Sequence, residues 1–466
     1  MIKMENDNGH NKTKIGILGL GTVGSGVVRY LQDFYSPEKT GLNIEIEKIC
    51  VKDTCKKRSI EVDPRILTSN PDDILENSDI DTVVELIGGI EPVGRYILRA
   101  LENGKNVVTA NKALLSLPYE KRGACPSVEE FRESEKRGKW PPGAGGELLF
   151  ISALTNKRHI GFEASVCCEI PIINTVSNMF GKADIVKLEG IINGTCNYIL
   201  TKMEKGADYG QALREAQNKG FAEQDSSFDV NGNDAAQKLA ILSTIIFGHR
   251  VEVPDIACES IGGITSGDVR YANEWGYKIK QVSLAKRYGC GDSEILELRV
   301  CPTLVPKNNL LAGVINEDNA VSLYFGDRAE PLTLAGKGAG MMPTARSVVQ
   351  DIVEVNLSNH RSRYYLYNLF TCLGWKNGDT GQIKSASYLR ANVADEPGVL
   401  GKISTLLGEY GVNINSVVQR GGDKTDGTIP LTMLLNPATE ESMSKMLEEL
   451  KKQECVKDVL RMRIQN

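Results

Sequence analysis

The chain has 466 residues, enough for about three domains at ~150 residues each. Lys and Arg total 55 against 60 Asp and Glu, a net charge of −5 that excludes the basic excess of a nucleic-acid binder. With 41% hydrophobic and 25% charged residues it has the composition of a globular protein, and no stretch reaches the ~18 uninterrupted apolar residues of a membrane span.

The eleven cysteines are an odd count with no Cys-x-x-Cys pair, so neither a complete disulfide framework nor a zinc ribbon is encoded. His10, His159, His249 and His360 stand far apart and form no local metal motif. Met1 to Lys14 is polar and lacks the apolar core of a secretion signal, so a reducing, cytoplasmic location is expected.

In chain order, Ile15-Gly-Ile-Leu18 reads as a short buried strand running into Gly19, and 22–34 has helical spacing with Val23, Val27, Tyr30 and Leu31 on one side. A second strand covers Ile44 to Val51, and apolar runs at Thr82–Ile87 and Lys105–Thr109 bracket a helix over Pro92–Asn103. Strands alternating with helices indicate β-α-β units and a parallel sheet. Residues 117–146, with four prolines and a charged run, break the rhythm as a surface excursion with one helix near 127–137. The pattern is then mixed, with strands near 185–192 and 294–300 and helices near 207–219 and 233–247. The last eighty residues predict strand, helix, strand, strand, helix, strand over 388–394, 399–410, 412–419, 428–435, 438–451 and 456–463, the split β-α-β plan.

Gly19-Leu20-Gly21-Thr22-Val23-Gly24 joins the first strand to the first helix. The first glycine permits the tight turn, the second lets backbone approach a pyrophosphate, and the third lets helix pack on strand. The diphosphate would meet the free N–H groups of the helix start. Past the second strand, Val51-Lys52-Asp53-Thr54-Cys55-Lys56-Lys57-Arg58 sets four basic side chains around one Asp. An acid there accepts from a ribose 2′-hydroxyl and a base accommodates a 2′-phosphate, so NADP is expected, with NAD also accepted. The alternatives are a plain turn and a solvated loop.

The densest chemistry lies between Gly220 and Leu242, where Glu223, Asp225 and Asp229 precede Asp234 and Lys238. Asp234 and Lys238 are four apart and share a helical face, and Ala235 and Ala236 allow close packing; a surface ion pair is the alternative.

Taken together, these segments resemble the monofunctional homoserine dehydrogenases over nearly the whole chain. The resemblance rests on the glycine loop at 19–26, Val107-Val108-Thr109-Ala110-Asn111-Lys112-Ala113-Leu114, Phe162-Glu163-Ala164-Ser165-Val166 and Gly190 to Tyr198. Residues 220–239, and Gly336-Lys337-Gly338-Ala339-Gly340 followed by Pro343-Thr344-Ala345, complete it. It implies reversible NAD(P)-dependent hydride transfer between L-homoserine and L-aspartate 4-semialdehyde, in threonine and methionine biosynthesis. The implied fold is multidomain, α/β and α+β. A Rossmann dinucleotide-binding domain spans 1–160, with the 117–145 insertion, and a helix near 343–354 returns to it. A mixed α+β catalytic and dimerisation domain spans 161–342, a connector 357–385, and a ferredoxin-like ACT regulatory domain 386–466.

The resemblance also implies roles. Lys238 is the acid/base residue, with Lys112 as the neighbouring cation at the cofactor–substrate junction. Glu223 and Asp234 hold the ammonium and hydroxyl end of homoserine, Asp229 supports them, and Asn193, Gly194 and Thr195 complete the substrate side. Gly19, Leu20, Gly21, Thr22, Val23, Gly24, Lys52, Gly88, Lys112, Gly194 and Gly340 line the cofactor. A monovalent cation, sodium, is expected on Glu163 and the carbonyls of Val166, Cys168 and Ile170. The ACT domain implies an amino-acid effector, threonine, and the assembly a homodimer or tetramer; nucleic-acid and membrane partners are not expected.

The sequence departs from the family pattern in three places. Cys167-Cys168-Glu169 replaces a Gly-rich run before Ile170-Pro171, which should put a carboxylate beside the nicotinamide. Phe221, Gln224 and Ser226 stand where a Tyr and two Pro are usual, and 117–145 is an insertion. A catalytically silent amino-acid sensor on the same folds is the alternative reading. An aldehyde dehydrogenase would need an activated Cys nucleophile, for which the sequence shows no His or other partner. Because no assigned catalytic residue lies beyond Gly340, a cut near Ser385 is expected to spare homoserine oxidation.

Overall fold

A computed structural model describes residues 11–117, 145–179, 185–289, 294–326, 330–357, 379–421 and 427–465. Nearly all of the 117–145 insertion, its expected helix near 127–137 and most of the 357–385 connector lie outside them. The chain forms two compact units. One takes the described residues up to Ile185, Gln237–Asp255 and those from Gly336 to 357; the other takes Val186–Ala236, Ile256–Ala335 and the described residues from 379 onward.

The first unit is built on a parallel sheet of β1 (Asn11–Leu18), β2 (Leu42–Cys50), β3 (Leu67–Thr68), β4 (Thr82–Glu85), β5 (Asn106–Thr109) and β6 (Ile160–Gly161). Its order is β3-β2-β1-β4-β5-β6. A parallel sheet is covered on both faces, which is why Ile15, Ile17, Leu18, Val83 and Val84 are all fully buried. The helix Met341–Leu357 sets Ala345, Val348 and Ile352 against Ile15, Ile17 and Val27. A Cβ on Gly26 would sit 2.8 Å from the Met341 carbonyl oxygen, so the helices Thr22–Asp33 and Met341–Leu357 meet at backbone distance. The strand order reverses between β1 and β4, and the carboxyl ends of those strands open the crevice in which such sheets bind nucleotides.

The second unit holds β7 (Ile185–Ile191), β8 (Ala257–Cys258), β9 (Tyr277–Tyr288), β10 (Ile295–Pro306), β11 (Asp318–Phe325), β12 (Leu332–Lys337), β13 (Lys384–Ala394), β14 (Ile414–Gln419), β15 (Thr428–Thr439) and β16 (Val456–Ile464). They form one sheet in the order β12-β11-β7-β9-β10-β16-β13-β15-β14, with β8 on β10. Its last four strands, with helices Val399–Glu409 and Glu440–Lys451, realise the split β-α-β plan read from the sequence.

This C-terminal module is joined to the rest of its unit by backbone pairing and by a shared core. β16 pairs in parallel with β10 through Thr303–Arg463 and Leu304–Ile464, fusing the two sheets. Tyr388, Met462 and Ile464 of the module share a core with Tyr198, Ile199, Tyr271 and Ile279. A short ladder of two residue pairs and one shared apolar core are not visible as periodicity in either segment.

Candidate active site

The glycine loop is shaped by contact and not by flexibility. Gly19 has φ +101°, and a Cβ there would meet the Leu86 carbonyl oxygen at 2.9 Å. At Gly24 a Cβ would lie 2.2 Å from the Gly19 oxygen, whereas at Gly21 it would meet nothing within 4 Å. The helix Thr22–Asp33 therefore begins beneath open space, and no side chain caps its first turn. An uncapped helix start under a clear glycine is the cradle a diphosphate needs, so Gly19 to Gly24 fit a dinucleotide. Gly21→Ala is expected to weaken nucleotide binding at unchanged melting temperature, while Gly24→Ala lowers the melting temperature itself. Calorimetric titration with scanning calorimetry separates the two, and equal behaviour of both variants would refute the assignment.

Beside the loop, the ends of β4 and β5 are tied by groups that sequence reasoning did not single out. Glu85 is fully buried and accepts the N–H groups of Ile87 (2.7 Å) and Gly88 (2.8 Å) and the Thr109 hydroxyl (2.6 Å). The Asn111 amide donates to the Gly89 carbonyl (2.6 Å), and its oxygen caps the helix Lys112–Leu115 through the Leu114 N–H. Gly88 and Gly89 hold φ of +79° and +81° with open space above them. The available signal was an acidic residue closing an otherwise apolar strand, Thr82-Val-Val-Glu85.

The basic loop after β2 divides in two. The Arg58 guanidinium donates to the carbonyls of Asp53 (2.5 Å), Thr54 (3.3 Å) and Lys56 (2.7 Å), and Asp53 accepts from the Cys55 N–H, so both fold the loop. Lys52, Lys56 and Lys57 are exposed.

The expected cation ligands act as a clasp. Both carboxylate oxygens of Glu163 accept backbone N–H groups, from Ile173 and Asn174, each at 2.8 Å. The Cys168 carbonyl takes the Ser347 hydroxyl (2.5 Å) and the Ile170 carbonyl takes the Ile172 N–H (2.7 Å); Val166 donates its own N–H to the Glu163 carbonyl. Burial, with Asp351 nearby, pushes the Glu163 carboxyl up to about 8. The Cys168 and Ile170 carbonyls each accept one hydrogen bond and keep a second lone pair, of the kind a hard cation takes.

Cys167 and Cys168 hold φ of +56° and +41°, a left-handed conformation that favours glycine. Glu169 does not project a free charge: it pairs with Arg346 at 2.6 Å. Replacing the half-buried Cys168 by glycine is expected to raise the melting temperature by about 2 °C, from ~1 kcal/mol of relieved strain. A lower melting temperature would mean that the Thr344 hydroxyl contact to its sulfur (3.2 Å) outweighs the strain.

In the second unit the sequence-predicted substrate residues Asn193, Asp229 and Asp234 come together. Asn193 donates its amide to Asp229 (2.8 Å) and to Asp234 (2.9 Å), while its oxygen caps the helix Gly194–Glu204 through the Cys196 N–H (2.8 Å). One side chain thus sets a helix end and holds two carboxylates side by side. The Thr195 hydroxyl donates to the Phe221 carbonyl (2.6 Å), which anchors the loop carrying the exposed Glu223. Gly194 is required by packing, since a Cβ would meet the Glu317 oxygen at 2.7 Å. Asp234 opens the helix Asn233–Phe247, and the buried Lys238 follows one turn later. Lys112 is half-buried at the start of its own short helix, and Gly340 has φ +127° just before Met341–Leu357.

A nucleotide-binding parallel sheet, a crevice lined by bare glycines and a paired-carboxylate cluster one helical turn from a buried lysine define a dinucleotide-dependent oxidoreductase. Sequence comparison names the kind. The profile described as homoserine dehydrogenase matches residues 171–353, its NAD-binding domain 19–133 and the ACT domain 387–455. The homoserine dehydrogenases of Bacillus subtilis (strain 168) and Synechocystis sp. are each 36% identical, over 96% of this chain and 96% and 98% of theirs. The crystal structure of a homoserine dehydrogenase from Thiobacillus denitrificans superposes with a TM-score of 0.82 at 32% identity, covering 98% of this chain and 99% of that one. The chain belongs to the homoserine dehydrogenase family, NAD(P)-dependent oxidoreductases, and carries the ACT domain that links such enzymes to amino acids. Among the described residues no helix is long and apolar enough to cross a membrane.

Proposed function

We propose that Asp229 and Asp234 receive the ammonium end of L-homoserine and that Lys238 moves the proton of its hydroxyl. The observation that carries this reading is the Asn193 amide shared by two carboxylates, one of which, Asp234, stands one helical turn before the buried Lys238. A zwitterionic substrate needs fixed carboxylates for its ammonium, because an unpaired buried charge costs several kcal/mol. A dinucleotide with its diphosphate at Gly19 to Gly24 would supply the nicotinamide as hydride acceptor. In oxidation the Lys238 amine takes the hydroxyl proton as the carbonyl forms; in reduction of L-aspartate 4-semialdehyde its ammonium returns it. By the family resemblance Lys112 and Gly340 serve the cofactor side, and Thr195 and the exposed Glu223 the substrate side. Sodium at Glu163, Val166, Cys168 and Ile170 would draw on the lone pairs those hydrogen bonds leave open, and no step depends on it. The test is spectrophotometric: L-homoserine with NADP should produce reduced nicotinamide, and silence with both NADP and NAD would sink the reading.

NADP is the preferred cofactor on this reading, because Lys52, Lys56 and Lys57 stay exposed past β2. Lys52→Glu should raise the KM for NADP far more than that for NAD, and equal changes would make the cluster a solvated loop. Threonine is the proposed effector at the ACT domain, in a homodimer or tetramer, and the free cysteines of the described residues favour a reducing cytoplasm.

A further inference from the structure

Two arginines of the C-terminal module hold a segment that touches the turn carrying Asp229. Arg390, on β13, is more than nine-tenths buried. Its guanidinium donates to Asp268, to the Thr265 hydroxyl (3.1 Å) and to the Gly263 carbonyl (3.2 Å). Asp268 is itself buried and also accepts from the Tyr388 hydroxyl (2.5 Å) and the Thr265 N–H (2.7 Å), so both terminal guanidinium nitrogens and the carboxylate are tied into one network. At the other end of the same segment, Arg463 of β16 pairs with Glu259 at 2.5 Å. Residues 259–265 are therefore held at both ends by arginines of the module. Between those ends the fully buried Ile261 donates its N–H to the Val230 carbonyl at 3.1 Å, directly after Asp229. Asp229 in turn accepts from Asn193, the side chain that also holds Asp234.

We propose that Arg390 is a positioning residue for Asp229, setting the substrate carboxylate from the C-terminal module through the segment 259–265. The inference rests on the reading above that Asp229 faces homoserine. The planar guanidinium serves an aspartate, a hydroxyl and a carbonyl from one fixed fork, which a lysine ammonium does not reproduce. Displacing residues 263–265 shifts the Ile261 N–H, and with it the Val230 carbonyl and the turn that presents Asp229. An amino acid bound on the module would gain access to the substrate site by the same route.

The test uses the full-length protein as Arg390→Lys, with Arg420→Ala as control. Arg420 also ties the module to the helix Ser266–Glu274, through Glu274 at 2.7 Å. Arg390→Lys is expected to raise the KM for homoserine about tenfold, equivalent to ~1.4 kcal/mol, with the KM for NADP within about twofold. Amide exchange of residues 226–234 should quicken in Arg390→Lys and stay unchanged in Arg420→Ala. If Arg390→Lys does not fold, Glu259→Gln releases the other end of the same segment and takes the same readouts. Unchanged homoserine KM with unchanged exchange at 226–234, or both KM values rising together, would overturn the proposal. If the parent protein does not oxidise homoserine, the functional reading fails by itself. The exchange comparison still decides the positioning, supported by faster exchange in Arg390→Lys and overturned by none.

Discussion

Deletion of residues 386–466 is expected to yield an aggregating or unfolded chain, and not a deregulated enzyme. Removing the module strips Tyr388, Met462 and Ile464 from the core they share with Tyr198, Ile199 and Tyr271. Each such side chain contributes ~1.5–3 kcal/mol when fully buried. The buried Asp268 would lose Tyr388 and Arg390, and stranding one partner of a buried pair costs ~3–5 kcal/mol. The Thr303 and Leu304 end of β10 would become a bare strand edge. Against a typical net stability of ~5–15 kcal/mol these losses are decisive. Soluble yield, circular dichroism melting and homoserine oxidation check the outcome. A soluble, cooperatively folding truncation with parental activity would show that the module is separable after all.

Lys238→Ala should lower kcat for homoserine oxidation by ~10²–10⁴, the usual contribution of a positioned acid/base group, while nucleotide affinity changes little. Its buried position one turn after Asp234 is the reason to expect a kcat effect and not a purely electrostatic one. Truncating a buried side chain also leaves a void, so Lys238→Met, which keeps the volume, should lose the same activity. A kcat within tenfold of the parent in both variants would remove Lys238 from the proton transfer.

The cofactor side was legible because its chemistry is local. Gly19, Gly21 and Gly24 are placed by a strand-turn-helix spacing that contact distances then justify one by one. The network that shapes the neighbouring crevice was not legible, since Glu85, Thr109 and Asn111 lie on separate strands and loops and meet only when β4 and β5 pair. Glu169 shows how a distant partner changes a local reading. A carboxylate in place of glycine reads as a charge beside the nicotinamide, but its partner Arg346 is 177 positions away and takes it up.

Elements without a clean period were missed for a related reason. The helix Gly194–Glu204 is buried on nearly every side, so it carries no amphipathic stripe. In β9, Lys280 brings a charged side chain into the core. It is fully buried, giving hydrogen bonds to Asn197 (3.2 Å) and to the Val314 carbonyl (2.8 Å), and burial lowers its pKa.

By itself the sequence determined the parallel nucleotide-binding sheet, the split β-α-β plan of the C-terminal module and the candidate residues Asp229, Asp234 and Lys238, because glycine spacing, period and an i, i+4 relation are properties of neighbours along the chain. Tertiary structure alone decided that Asn193 joins two carboxylates, that Glu163 closes a loop on a helix start, and that the module shares a core with the catalytic sheet. Each depends on a hydrogen bond or apolar contact between distant segments, and its free energy is realised only once packing has excluded water from both partners.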